Sequence, residues 1–145
     1  MPTILYAEDD RDCRELFAFV LRQKGYYVLE ANNGAQAVQL VRDDQVDLVI
    51  LDVRMPLLSG YDAARLIAQE APQTPVMFLS AKGMGREIDK GFNCGSMVVD
   101  YLVKPISNEA LLRRVEEVLS GCAIQGIEVV REESRAQFLE LRQRV

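Results

Sequence analysis

Short apolar runs recur along this chain, and between them apolar residues return at helical spacing. The runs are Ile4 to Ala7, Tyr27 to Ala31, Asp47 to Leu51, Pro75 to Leu79 and about Val98 to Val103. They have the length of strands rather than helices. Leu48-Val49-Ile50-Leu51 shows no polar alternation, as expected of a parallel strand covered on both faces. Helical stripes follow the runs. Leu16, Phe17, Val20 and Leu21 form the first, from about Asp12 to Gly25, and Ala37, Val38 and Val41 the second. Ala63, Ala64, Leu66 and Ile67 form the third, which ends before Pro72. A short fourth helix follows Lys82-Gly83-Met84-Gly85 and ends near Gly95. The fifth starts at Ser107-Asn108-Glu109, carries Leu111, Leu112, Val115, Val118 and Leu119, and ends at Gly121. The pattern predicts an α/β fold: (βα)5 in one pass, a doubly wound five-stranded parallel sheet with right-handed crossovers.

Charged residues stand where these runs end. Ile4 to Ala7 leads into Glu8-Asp9-Asp10, Leu48 to Leu51 into Asp52, and Tyr101-Leu102-Val103 into Lys104-Pro105. In an open parallel sheet these ends share one edge, where ligands bind. Carboxylates gathered there repel one another and call for a cation. Oxygen donors of this kind suit Mg²⁺, and a lysine opposite would offset the charge of a phosphoryl group.

The net charge of −5 disfavours a nucleic-acid surface. The absence of histidine removes histidine triads, histidine metal ligands and a phosphohistidine made on this chain. Cys13, Cys94 and Cys122 form no CxxC pair, and their odd number reads as reduced thiols in the cytoplasm. Cys13 shares helical spacing with Leu16, Phe17 and Val20, so core packing is its expected role. No run reaches membrane-spanning length, and no basic segment precedes Ile4, so neither a membrane span nor a signal peptide is expected.

Taken in order, Glu8-Asp9, Asp52 with Met55-Pro56 and Gly60, Ser80-Ala81, Tyr101, and Lys104-Pro105 form a set in which each piece is common and the sequence of pieces is specific. From Thr3 to Leu119 the chain resembles the response regulator receiver domains of two-component signalling, the CheY-like branch of the flavodoxin-like fold. The resemblance implies that Asp52 is the phosphoacceptor, with Lys104 and Ser80 assisting. It implies Mg²⁺ held by Asp9, Asp52 and the backbone carbonyl of Arg54, with Glu8 acting mainly through a metal-bound water. Lys104 would pair with the free or phosphorylated Asp52 carboxylate, and a cis Lys104-Pro105 bond would turn it toward the site. Ser80 and Tyr101 would be the switch pair, coupling phosphorylation to the face formed by the fourth helix, fifth strand and fifth helix. Asp10 has a simpler reading as the cap of the first helix.

The resemblance also implies a sensor histidine kinase or histidine phosphotransfer protein as partner, and chemistry limited to self-phosphorylation and autodephosphorylation. Homodimerisation is open, through that signalling face or through the C-terminal helix. Two features depart from the family. The run from Gly95 to Tyr101 is about two residues longer than in relatives. Arg54 and Lys82, each two residues beyond Asp52 and Ser80, would shield an acyl phosphate and slow its hydrolysis. A phosphorylation-independent pseudo-receiver is the competing reading, opposed by the retention of Asp9, Asp52, Ser80 and Lys104. An aspartate-nucleophile phosphatase of the DxD kind is disfavoured, because Arg54 occupies the place of its second acid. A nucleotide-binding flavodoxin-like protein lacks its glycine-rich phosphate loop here.

Residues 1–121 are thus expected to form the receiver domain. Residues 122–145 are expected to be a helical extension or linker, with Ile127, Val130, Phe138, Leu141 and Val145 as its apolar stripe.

Overall fold

A computed structural model describes residues 1–121. The elements are β1 (Thr3–Ala7), α1 (Arg11–Gln23), β2 (Tyr27–Ala31), α2 (Gly34–Asp43), β3 (Leu48–Leu51), α3 (Gly60–Glu70), β4 (Val76–Ser80), α4 (Gly85–Phe92), β5 (Val98–Val103) and α5 (Asn108–Leu119). The five strands form one parallel sheet in the order β2-β1-β3-β4-β5. The expected (βα)5 architecture is therefore present. The extension expected at 122–145 lies outside the described residues.

Period-two alternation along the strands divides the core in two. Leu5, Ala7, Val49, Leu51, Val76 and Phe78 point to one face, where Ala37, Val38, Ala63, Ala64, Ile67, Ile88 and Phe92 of α2, α3 and α4 cover them. Ile4, Tyr6, Leu48, Ile50, Met77 and Leu79 point to the other, against Phe17, Ala18 and Leu21 of α1 and Leu111, Val115 and Val118 of α5. Burying each such large side chain stabilises the fold by about 1.5–3 kcal/mol. α1 differs from its sequence reading. Its buried arc centres on Phe17, Ala18 and Leu21, so Leu16 lies off it and is 54% exposed. Cys13 is half-buried at the margin of that core, its sulfur 3.7 Å from the Tyr6 hydroxyl.

Side chains close the helix N-termini: Asp10 accepts from Cys13 N, Asn33 from Gln36 N, Ser59 from Asp62 N and Ser107 from Ala110 N. Each such cap contributes about 1 kcal/mol. α4 is the exception, preceded by Met84 with no side-chain cap.

The long run before Tyr101 is partly absorbed by a β-bulge. Val98 pairs with Val76 and Asp100 with Met77, leaving Val99 as the extra residue. Val99 packs in the α1/α5 core, and Asp100 on the same side binds Arg114 of α5 through Nε at 2.6 Å. Arg114 also donates to Val99 O at 3.2 Å. The bulge thus points two successive residues at α5 and restores Tyr101 to the opposite face.

Candidate functional site

The sheet order reverses between β1 and β3, and the predicted site residues collect beside that point, at the carboxyl ends of the strands. Backbone ladders extend one residue past three strands and fix their direction. Glu8 N donates to Ala31 O at 2.9 Å, Asp52 N to Ala7 O at 3.0 Å and Lys104 N to Ser80 O at 2.8 Å. The loop after Asp52 is pinned from behind by Gly60, where a Cβ would lie 1.9 Å from the Asp52 carbonyl oxygen. Only glycine permits that approach.

Oxygens of Glu8, Asp9 and Asp52 lie within 4.8 Å of one another. Glu8 and Asp52 are buried, at 3% and 7% exposure, while Asp9 opens to solvent. Asp52 Oδ1 accepts from Val53 N at 2.8 Å, which orients the carboxylate. Arg14 donates to the Glu8 carbonyl at 2.9 Å and holds that backbone from the α1 side. Burial pushes the Glu8 carboxyl up to about 8, helped by its hydrogen bond to Asp52 and the negative charge there, with Lys104 opposing. Three carboxylates packed this closely, one of them raised in this way, form an all-oxygen donor set that fits a hard divalent cation.

Lys104, whose bond to Pro105 is cis, approaches this cluster from the end of β5. Its Nζ lies 3.2 Å from Glu8 Oε2. Asp52 and Glu8 are the two carboxylates whose charge acts most on this ammonium. Burial pulls the Lys104 pKa down, but the charges of Asp52 and Glu8 outweigh it and the net shift is upward.

Ser80 is fully buried, and its hydroxyl accepts from Lys82 N at 3.2 Å. Tyr101 is 5% exposed, and its hydroxyl donates to Lys82 O at 2.6 Å. Both residues therefore engage the loop before α4, and the Tyr101 ring lies inside the domain. A groove of about 550 Å³ runs outward from Asp9 and is lined by Arg54, Met55, Pro56, Tyr61, Lys82, Glu87 and Lys90 among others. Arg54 and Lys82 both line this groove with Asp9.

Several participants were not legible in the sequence. Arg14 carries no signal beyond a surface arginine on α1. Tyr6, whose hydroxyl pKa is raised by burial and then by Cys13 and Glu8, reads as an ordinary strand aromatic. Tyr61 and Glu87 meet at 2.6 Å across 26 residues of sequence, and no local pattern marks such a pair.

Residues 4–116 match the family model described as the response regulator receiver domain. Over 110 residues the chain is 41% identical to the autoinducer 1 sensor kinase/phosphatase LuxN of Vibrio harveyi, covering 76% of this chain and 13% of that protein. It is 37% identical over 119 residues to the transcriptional regulatory protein CpxR of Escherichia coli K12, covering 82% of this chain and 50% of that protein. The chain thus spans half or less of the length of these relatives. The chemotaxis protein CheY4 of Vibrio cholerae superposes with a TM-score of 0.76 at 26% identity, over 81% of this chain and 98% of that one. By the match of family model, sheet order and pocket, this chain belongs to the response regulator receiver domain family.

Proposed function

We propose that this receiver domain is a Mg²⁺-dependent phospho-aspartate switch. The observation that carries the reading is the convergence of Glu8, Asp9 and Asp52 within 4.8 Å, with Lys104 beside them. Asp9, Asp52 and the Arg54 carbonyl would hold the cation, with Glu8 reaching it through a water. A bound Mg²⁺ supplies neutralisation of charge on the phosphoryl oxygens. An Asp52 carboxylate oxygen forms the new P–O bond. The P–N bond of a donor phosphohistidine breaks, and its electron pair returns to the imidazole. The donor is a sensor histidine kinase or a histidine phosphotransfer protein, because this chain has no histidine.

Lys104 then moves from Glu8 to a phosphoryl oxygen, and the Ser80 hydroxyl leaves Lys82 N to donate to another. The burial of Tyr101 supports a role in passing this change to the α4-β5-α5 face. Arg54 and Lys82 flank the acyl phosphate and slow its hydrolysis. The described residues contain no helix long and apolar enough to cross a membrane.

Titration with beryllofluoride in the presence of Mg²⁺, followed by NMR, tests the reading. Saturable shifts around Asp52, lost in Asp52→Asn and weakened in Asp9→Asn, are expected. No response in the wild-type protein would favour the pseudo-receiver. Replacing Arg54 and Lys82 together by alanine should shorten the lifetime of phosphorylated Asp52, and an unchanged half-life would remove the shielding role.

A further inference from the structure

The first turn of α4 is held in an unusual way. Met84 provides no side-chain cap, and α4 spans only Gly85–Phe92. Its third residue, Glu87, is where a carboxylate commonly folds back on the N-cap amide. Here that carboxylate is instead 2.6 Å from the hydroxyl of Tyr61, on α3. The same hydroxyl lies 3.0 Å from the Glu87 carbonyl oxygen. One turn on, Lys90 Nζ sits 4.8 Å from the centre of the Tyr61 ring. Tyr61 is 3% exposed, so this grip on α4 comes from inside the domain.

The contact continues to the switch tyrosine. The Tyr61 ring meets Phe78 at 5.4 Å between centroids, and Phe78 meets Tyr101 at 5.6 Å. Gly91 of α4 lies against both: a Cβ there would be 2.7 Å from Tyr101 and 3.1 Å from Phe78. The space in which the Tyr101 ring is buried is therefore bounded by α4. The Tyr101 hydroxyl in turn fixes Lys82 O, and Lys82 Nζ stands 3.9 Å from Glu87. Tyr61, Glu87, Lys82, Tyr101 and Phe78 close a ring across α3, α4, the loop before α4, β5 and β4.

We propose that the Tyr61–Glu87 hydrogen bond is a latch that holds the first turn of α4 where Tyr101 is buried, and so sets how readily the Asp52 pocket takes a phosphoryl group. The coupling to the pocket rests on the phospho-aspartate reading above; the latch itself does not. Tyr61 and Glu87 are positioning residues, acting through α4 and Tyr101. Removing the bond lets α4 leave that position more often, and a smaller competent fraction weakens apparent binding in proportion.

Two measurements on the full chain test this: amide exchange across residues 85–92, and the beryllofluoride titration with Mg²⁺. Tyr61→Phe and Glu87→Ala should each speed α4 exchange and raise the half-saturating beryllofluoride concentration by up to about fivefold, the ceiling set by one hydrogen bond. Exchange in α1 and α5 should stay unchanged. Glu87→Gln keeps an acceptor for the Tyr61 hydroxyl and should remain near wild type, which a role through charge would not predict; Tyr61→Phe keeps the ring packing and removes only the hydroxyl. The double variant Tyr61→Phe/Glu87→Ala should be no worse than either single one. Unchanged α4 exchange in Tyr61→Phe, equal loss in Glu87→Gln and Glu87→Ala, or additive effects in the double variant would overturn the latch. If wild-type protein gives no Asp52-dependent response, the phospho-aspartate reading and the coupling fall together, and the exchange comparison judges the latch separately.

Discussion

Leu57 combines two costs at one residue. Its φ of 69° lies in the left-handed region, and its side chain is 83% exposed, so it gains little from packing. Leu58 N donates to Pro56 O at 2.8 Å, closing a three-residue turn that imposes this φ. Leu57→Gly removes the steric strain at some cost in unfolded-state entropy, and should stabilise the domain by about 0.5–1 kcal/mol in urea denaturation. Glu8 shows a different conflict, between burial and charge. Its carboxyl is raised from 4.5 to about 8 by burial and then by Asp52. Through that window the folded state keeps a proton that the unfolded chain has released. Stability without divalent cations should therefore fall as pH rises from about 4.5 to about 8. Glu8→Gln should flatten this dependence in denaturation curves recorded with a chelator, and a profile identical to wild type would argue against Glu8 as its source.

At the scale of elements, β5 is where the fold departs most from a regular pattern. The bulge at Val99 leaves Asp100 buried at 8% exposure, and Arg114 answers it with a 2.6 Å contact from α5. Asp100 also fixes its own strand by accepting from Tyr101 N at 2.8 Å. Removing one partner of a buried pair leaves the other uncompensated. Arg114→Ala should cost about 3 kcal/mol by chemical denaturation, less any gain from solvent reaching the site. The double change Arg114→Met/Asp100→Asn should recover part of it. An Arg114→Ala protein as stable as wild type would mean that the bulge does not depend on this pair. The same segment explains how the run before Tyr101 is accommodated: past the bulge, Tyr101 faces α4.

At the scale of the molecule, the described residues, 1–121, bring together a five-stranded sheet, two core layers and the carboxylate cluster. A chain ending at Gly121 should unfold in one cooperative transition and give the beryllofluoride titration of the full chain; a broad or weakened response would assign residues 122–145 a part in the domain. Much of this plan was legible in the sequence. Apolar runs of strand length and helical stripes specify which residues are buried and in what order the elements come, because periodicity is a local property. Acids and a lysine at strand ends predict a shared edge once the sheet is parallel. What the tertiary structure alone decided are contacts between residues far apart in sequence. Lys104 meets Glu8, Leu16 falls outside the buried arc of α1, Arg114 finds Asp100 across a bulge, and Tyr61 reaches Glu87. Periodicity assigns a side chain to a face, but its partner depends on how helices settle on the sheet. That geometry is set by the packing of both core layers at once, which no short window of sequence contains.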